Sequence, residues 1–230
     1  MFSGFYKEGL LLLDEFQKNN TKEYFEANRD RYNHYILEPN RAFVEEMGEH
    51  LQILHPNIHA EPKINRSLFK IFRDSRFHLN EPLKSKIGII FWAGSGHRMQ
   101  SSSFYLHYEP SSIFWAAGIR NFKPPLLKVY REYIQDIRVR EDLHNILEEL
   151  KIKGYNIPKP HFKRYPKDMN EDNEFSYLYL YRAIYAFKES KIKKSFFNKR
   201  ILSLSFKYYQ DMLPLFEWVY QFTLYRSKSI

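Results

Sequence analysis

Apolar residues recur at steps of three and four in two stretches of the first 54 residues. This spacing places them on one side of a helix, so residues 5–18 and residues 40–54 are predicted to be amphipathic helices. The apolar positions are Leu10, Leu13 and Phe16 in the first helix and Phe43, Met47, Leu51 and Leu54 in the second. Each helix therefore has a face that must pack against the rest of the chain.

A shorter helix is predicted between these two, from Lys22 to about Asn33. Asn20 followed by Glu23 resembles a capping box, in which two side chains satisfy the free N–H groups at a helix start. Pro39 then stands in the first turn of the next helix, where its missing N–H costs no hydrogen bond. The N-terminal part of the chain is therefore predicted to be helical.

The hydrophobic period changes after residue 55. Residues 87–92 form an unbroken apolar run, which is typical of a buried strand, and residues 104–109 and 113–119 are predicted to be two further strands. Only three residues separate the last two, so they are expected to form an antiparallel hairpin. Residues 67–73 are predicted to be a strand or a strand end. The middle of the chain is therefore predicted to be an antiparallel meander.

Helical spacing returns after residue 120. A proline pair at residues 124–125 opens one helix, and another is predicted over residues 140–151, ended by Gly154. Residues 175–185 favour a helix that passes into a strand, and residues 202–224 favour terminal helices. The predicted fold class is therefore α+β, with an antiparallel sheet in the middle of the chain packed by N- and C-terminal helices.

Composition limits the class of protein. With 230 residues, 43% of them hydrophobic, the chain is predicted to be a single domain over residues 1–230. The lack of cysteine excludes disulfides, iron–sulfur clusters and thiolate zinc sites. No apolar run approaches the roughly 18 residues of a transmembrane helix, and residues 1–8 lack the order of a signal peptide. We therefore expect a cytoplasmic protein that has no membrane partner.

Positive charge is concentrated in the second half of the chain. Residues 1–119 hold 14 basic and 14 acidic residues, whereas residues 120–230 hold 22 and 13, which accounts for the whole formal charge of +9. A basic half favours a polyanionic partner such as nucleic acid. Codon usage in an AT-rich genome would produce the same excess of lysine without any partner, so both explanations stay open.

The densest charge beside apolar sequence lies between residues 66 and 92. Arg73, Asp74, Arg76 and Lys84 stand there between two apolar runs. One interpretation is an Arg–Asp pair that anchors a loop between core strands. The other is a pocket whose guanidinium groups hold the carboxylate or phosphate of a ligand, since three cations face only one carboxylate.

The strand predicted at residues 104–109 supplies the candidate catalytic residues. Tyr105, His107 and Glu109 alternate with apolar residues, so they are expected to share one face. Positions two apart along a strand lie about 7 Å apart, close enough for Glu109 to orient His107 as a general base. The alternative is a half-buried histidine satisfied by its neighbour. No metal site is predicted, because the spacing of the other histidines is broken by Pro56.

An ordered set of short motifs spans nearly the whole chain. It consists of Phe2-Ser-Gly-Phe5, Tyr24-Phe25, Arg73-Asp-Ser-Arg-Phe77, Pro82-x-Lys84, Phe104-Tyr-Leu-His-Tyr-Glu109, Tyr165-Pro-Lys167 and Leu213-Pro-Leu215. In this order the motifs resemble those of the conserved hypothetical proteins grouped as domain of unknown function family 2461. The resemblance implies a soluble bacterial or fungal protein and supplies no established substrate.

Three classes of function follow from these patterns. The first is a small-molecule binding protein or enzyme with an anionic ligand in a cleft at the central sheet. Its ligand-binding residues would be Arg73, Asp74, Arg76, Lys84 and Tyr105, and its catalytic residues His107 and Glu109. The alternative is a non-specific nucleic-acid-binding module that uses the basic C-terminal half, and the third class is a scaffold without a ligand. The sequence does not identify a reaction, a cofactor or an oligomeric state.

Overall fold

A computed structural model describes residues 1–74, 76, 80–167, 169 and 173–228. Its α-helices are α1 (Lys7–Lys18), α2 (Lys22–Ala27), α3 (Arg29–Tyr32), α4 (Glu38–Leu54), α5 (Pro124–Tyr133), α6 (Ile137–Ile152), α7 (Arg200–Asp211) and α8 (Leu213–Lys228). A π-helical turn covers Asn33–Leu37, and short 3-10 helices cover Arg98–Gln100, Ser176–Leu180 and Lys194–Phe197. The strands are β1 (Ile58–His59), β2 (Ile87–Ala93), β3 (Ser103–Tyr108), β4 (Ser112–Ile119) and β5 (Ile184–Lys191). None of the helices in these described ranges is both long and apolar enough to cross a membrane.

These strands form one antiparallel sheet in which they pair in chain order, β1-β2-β3-β4-β5. β2 is buried along its whole length, because it is a continuous apolar run. β3 instead alternates between buried and half-buried side chains from Phe104 onwards. Helices from both ends of the chain pack on the sheet, so the α+β fold is confirmed.

The chain divides into two compact units, each assembled from three segments. The first unit contains Met1–Phe91, Tyr105–Trp115 and Glu189–Tyr208, and the second contains Trp92–Phe104, Ala116–Lys188 and Tyr209–Ile230. Each unit therefore includes part of the central sheet. The expectation of a single domain over the whole chain stays a prediction.

An aromatic cluster fills the core of the first unit. Phe5 packs against Phe43, Tyr108 and Phe196, with ring centres 5.3, 5.0 and 4.7 Å away. All four rings are buried, so they contribute strongly to the hydrophobic stabilisation of this unit. Because Tyr108 points into this core, the neighbouring odd-numbered positions of β3 lie on the other face of the strand.

The π-helical turn before α4 has a clear local cause. Pro39 has no N–H, so the carbonyl of Tyr35 cannot receive the usual hydrogen bond from four residues later. The chain inserts a wider turn instead, in which the N–H of Glu38 donates to the carbonyl of Asn33, five residues before it. Gly9 of α1 fits against this turn, since a Cβ there would lie 2.6 Å from the Tyr35 carbonyl oxygen. The turn therefore depends on both the proline and the glycine.

The second unit is built around helix α8, which packs against α5 and α6. Phe216 of α8 stacks on Phe104 of β3, with ring centres 4.3 Å apart. The hydroxyl of buried Tyr130 in α5 donates to the carbonyl of Leu178 at 3.0 Å. This bond ties the helix to the 3-10 segment that precedes β5.

Two local predictions differ from the structure. The N-cap of α2 is Thr21 rather than Asn20, because the threonine side chain accepts the free N–H of the first turn. Residues 67–73 pair only at isolated single-residue bridges and form no continuous strand. The helix that passes into a strand, predicted for residues 175–185, is confirmed, since a 3-10 helix over Ser176–Leu180 is followed by the start of β5, which pairs with β4.

Candidate functional site

Asp74 and Arg76 form an ion pair at the surface of the first unit. The Arg76 guanidinium donates to both carboxylate oxygens of Asp74, with Nε–Oδ1 at 3.0 Å and Nη2–Oδ2 at 2.6 Å. The Arg76 backbone N–H also donates to Oδ1 at 3.1 Å. These hydrogen bonds lower the pKa of the Asp74 carboxyl well below its usual range. Since 78% of the Arg76 side chain is exposed, the pair is a surface feature.

Arg73 is held by backbone rather than by a carboxylate. Its Nε donates to the carbonyl of Leu83 at 3.0 Å, and its N–H donates to the carbonyl of Pro82 at 2.7 Å. The side chain of Asn20 accepts from the Leu83 N–H at 2.7 Å and donates to the same Leu83 carbonyl at 3.1 Å. Leu83 itself is fully buried. These contacts favour an anchoring role for Arg73.

Lys84 also contacts backbone. Its Nζ donates to the carbonyl of Lys70 at 2.6 Å, and its backbone N–H donates to the carbonyl of Ile71 at 2.9 Å. Neither Lys70 nor Lys86 forms an ion pair with any carboxylate that the structure describes. Residues 66–86 carry six basic and two acidic side chains, so the segment has a net charge of +4 with histidine neutral.

Tyr105 and His107 lie in a row of half-buried rings on one face of the sheet. We call Phe69, Tyr105, His107 and Phe114 the aromatic face. His107 stacks on Phe114 with ring centres 4.7 Å apart and planes 18° from parallel. Tyr105 lies 5.5 Å from His107 and meets Phe69 edge-on at 5.9 Å. The predicted side-by-side placement of Tyr105 and His107 is therefore seen in the structure.

Gly88 of β2 makes room for this arrangement. A Cβ at Gly88 would lie 2.9 Å from the Tyr105 hydroxyl and 3.1 Å from Cδ2 of Phe69. Both distances are too short for an unstrained contact, so only glycine lets the two rings settle against β2. The N–H of Phe69 also donates to the carbonyl of Gly88 at 3.1 Å.

Glu109 lies outside this row, because β3 ends at Tyr108 and Glu109 begins the turn towards β4. Its N–H donates to the carbonyl of Ser112 at 3.0 Å, and its carboxylate accepts from the Ser112 hydroxyl at 3.1 Å. These contacts close the hairpin turn. Strand alternation therefore positions Tyr105 and His107, whereas the hairpin turn positions Glu109.

The structure thus gathers the predicted residues into two groups. Tyr105 and His107 share the aromatic face, whereas Asp74 and Arg76 pair within the basic segment of residues 66–86. Phe69 belongs to both, because it lies in this segment and contacts Tyr105. Sequence reasoning missed Phe69, Gly88 and Phe114. Phe114 could have been found from the register of the predicted hairpin, because it lies across from His107 on the adjacent strand. Phe69 and Gly88 had no local signal.

A separate cavity of about 260 Å³ lies at the N-terminal segment of the first unit. Its lining includes Phe2, Tyr6, His34 and Glu38, and it contains none of the predicted site residues. Glu38 is engaged in an ion pair with Arg41 at 2.7 Å. Among the described residues, no group of three His, Cys, Asp or Glu side chains could hold a metal ion.

A comparison with protein families matches most of this chain to one family. The family described as conserved hypothetical protein, DUF2461, matches residues 8–218. The chain belongs to this family. All seven predicted site residues and the added residues of the aromatic face lie within the DUF2461 match. The comparison with curated proteins gave no match. Since the family description names no reaction, any chemistry has to be argued from the site.

Proposed function

We propose that the first unit binds a small anionic molecule with a planar group on the aromatic face. The observation that carries this proposal is a row of four half-buried rings, each in contact with the next, beside a segment of net charge +4. Rings of this kind offer stacking surface to a planar ligand. The segment would supply the charge that holds the ligand's carboxylate or phosphate.

The charge for the ligand would come from Lys70, Lys86 and Arg76. Neither lysine forms an ion pair with a carboxylate in the described part of the chain, and Arg76 presents an exposed guanidinium to solvent. Arg73 is excluded from direct binding in this proposal, because its Nε is used on the Leu83 carbonyl. Asp74 would orient Arg76, and Lys84 would fix the backbone at Lys70.

His107 is the side chain of the aromatic face that can exchange a proton near neutral pH. It is therefore the candidate for a catalytic role if the ligand is a substrate. Its stacking on Phe114 fixes the plane of the imidazole ring. Glu109 would act only through the hairpin turn that it closes with Ser112.

Thermal unfolding with a panel of ligands tests the proposal. The panel pairs nucleoside monophosphates with nucleosides, and aromatic carboxylates with their amides. We expect at least one anion to raise the unfolding temperature by several degrees, since a ligand at 100 times its Kd adds about 2.7 kcal/mol to stability. The neutral partner of that anion should have no effect.

Matched variants localise the response. Lys70→Gln/Lys86→Gln and His107→Gln should each abolish the shift, whereas Lys7→Gln/Lys22→Gln changes the net charge equally at exposed positions and should retain it. Arg76→Gln should weaken the shift, while Arg29→Gln, which breaks another exposed ion pair, should not. Equal shifts with anions and neutral analogues, or no shift with any compound, would contradict the proposal.

A further inference from the structure

The loop formed by residues 159–167 in the second unit is strongly basic. Lys159, Lys163, Arg164 and Lys167 are all exposed, and the loop contains no acidic residue. Two further arginines contact it, since the guanidinium of Arg131 in α5 lies over the ring of Phe162 and the backbone N–H of Arg182 donates to His161. Within the described ranges, none of these six cations forms an ion pair with a carboxylate.

Arg131 is the most informative member of this group. Its guanidinium carbon lies 5.0 Å from the ring centre of Phe162, and its buried Nε has no hydrogen-bond partner in the described structure. Burial lowers the pKa of Arg131, so its charge is partly stripped of water without a compensating carboxylate. Such an arrangement costs free energy that a bound anion would offset.

The loop is anchored, so its cations have defined positions. The N–H groups of His161 and Phe162 both donate to the carbonyl of Leu180 at 2.9 Å. The hydroxyl of buried Tyr181 donates to the carbonyl of Pro158 at 2.9 Å. Arg182 donates through its backbone N–H to Nδ1 of His161 at 3.5 Å and through Nε to Oδ1 of Asn121 at 3.2 Å. A fixed backbone lowers the entropy cost of binding.

Aromatic residues interleave with these cations. Phe162 and Tyr165 are half-buried and separated by Lys163 and Arg164. Burial and the charge of Arg182 lower the pKa of His161, so its imidazole adds no charge at neutral pH. Alternation of exposed cations with half-exposed rings is typical of surfaces that hold a single-stranded backbone and stack its bases.

We propose that residues 159–167, together with Arg131 and Arg182, form a binding surface for single-stranded nucleic acid. The phosphates would contact the exposed lysines and arginines, and bases would stack on the half-buried rings of Phe162 and Tyr165. This surface lies in the second unit and is independent of the aromatic face.

Fluorescence polarisation with a labelled oligothymidylate of about 20 nucleotides tests the surface. With four or five phosphate contacts, the plot of log K against log salt should have a slope of about −3, because each contact on a single strand contributes about −0.7. The triple variant Lys159→Gln/Lys163→Gln/Lys167→Gln should flatten the slope by about 2 and weaken binding at least tenfold at low salt.

A matched triple variant separates this surface from general charge. Lys191, Lys193 and Lys194 are equally exposed and equally free of carboxylate partners in the described structure. Unlike the loop at residues 159–167, this group has no half-buried arginine beside it within the described ranges. The variant Lys191→Gln/Lys193→Gln/Lys194→Gln should therefore leave the salt-dependence slope and the affinity for the oligonucleotide nearly unchanged. Phe162→Leu should weaken binding roughly tenfold if bases stack there.

Four results would overturn the proposal. They are no binding by the wild-type protein at low salt, equal losses in the two triple variants, unchanged binding by Phe162→Leu, and equally effective competition by duplex DNA. An absence of binding by the wild-type protein at low salt would show that the cations of the loop attract no phosphate backbone. Circular dichroism of each variant confirms that it is folded before its affinity is interpreted.

Discussion

The side chain of Asn20 pairs with both backbone polar groups of Leu83, its N–H and its carbonyl, although the two residues are 63 positions apart. Oδ1 accepts from the Leu83 N–H at 2.7 Å, and Nδ2 donates to the Leu83 carbonyl at 3.1 Å. Arg73 donates to the same carbonyl at 3.0 Å. An amide side chain suits this role, because it offers one donor and one acceptor in a fixed geometry.

Replacing Asn20 should destabilise the first unit. In Asn20→Ala the N–H of fully buried Leu83 loses its acceptor, which costs about 1–3 kcal/mol of unfolding free energy. Urea unfolding measures the change. Asn19→Ala is the control, since the Asn19 side chain makes a single exposed bond at 3.3 Å, and its effect should stay within about 0.5 kcal/mol. Equal losses in both variants would contradict the role given to Asn20.

The arginines at 73 and 76 should respond differently to the same substitution. Arg73→Gln removes a hydrogen bond to a buried carbonyl and should lower the unfolding free energy by about 1 kcal/mol. Arg76→Gln removes an exposed pair with Asp74 and should leave the unfolding midpoint unchanged. Chemical denaturation measures both changes. A larger loss of unfolding free energy in Arg76→Gln than in Arg73→Gln would contradict the assignment of Arg73 as the anchor and Arg76 as the surface residue.

Gly88→Ala should disturb the aromatic face. The new methyl group would lie 2.9 Å from the Tyr105 hydroxyl, so the substitution should cost about 1–3 kcal/mol through overpacking. The cost should be smaller in a Tyr105→Phe background, because the closest atom has been removed. A double-mutant cycle by urea unfolding measures this coupling, expected at roughly 0.5 kcal/mol or more. If the free-energy losses of Gly88→Ala and Tyr105→Phe simply added, the Tyr105 hydroxyl would not be the group that the new methyl group displaces.

The pH dependence of the Asp74–Arg76 pair has a definite sign. Arg76 lowers the folded-state pKa of Asp74, so the pair stabilises the loop above the unfolded pKa of about 3.9 and is lost only as pH falls through the lower folded value. At pH 4 the carboxylate should still be ionised. An NMR titration of the Asp74 carboxyl should show a midpoint well below 3.9 that rises towards it in Arg76→Gln. The same titration midpoint for Asp74 in the wild-type protein and in Arg76→Gln would contradict the stabilisation of the carboxylate by Arg76.

Local patterns in the sequence determined most of the secondary structure and the fold class. Helical periodicity identified α1 and α4, and the apolar run at β2 with the hairpin of β3 and β4 identified the sheet. These features depend on residues close together in the chain, so spacing alone predicts them. The shared face of Tyr105 and His107 follows from the same alternation.

Tertiary structure alone decided how the polar residues are used. The capping role expected for Asn20 went to Thr21, because the asparagine is taken up by Leu83, and no local pattern encodes that distant partner. Arg73, next in sequence to the Asp74–Arg76 pair, likewise binds the Leu83 carbonyl. Phe69 reaches the aromatic face because Gly88 leaves space for it, and that fit depends on two segments meeting. Spacing along a chain fixes which side a residue points to, whereas only the folded packing fixes which group it meets there.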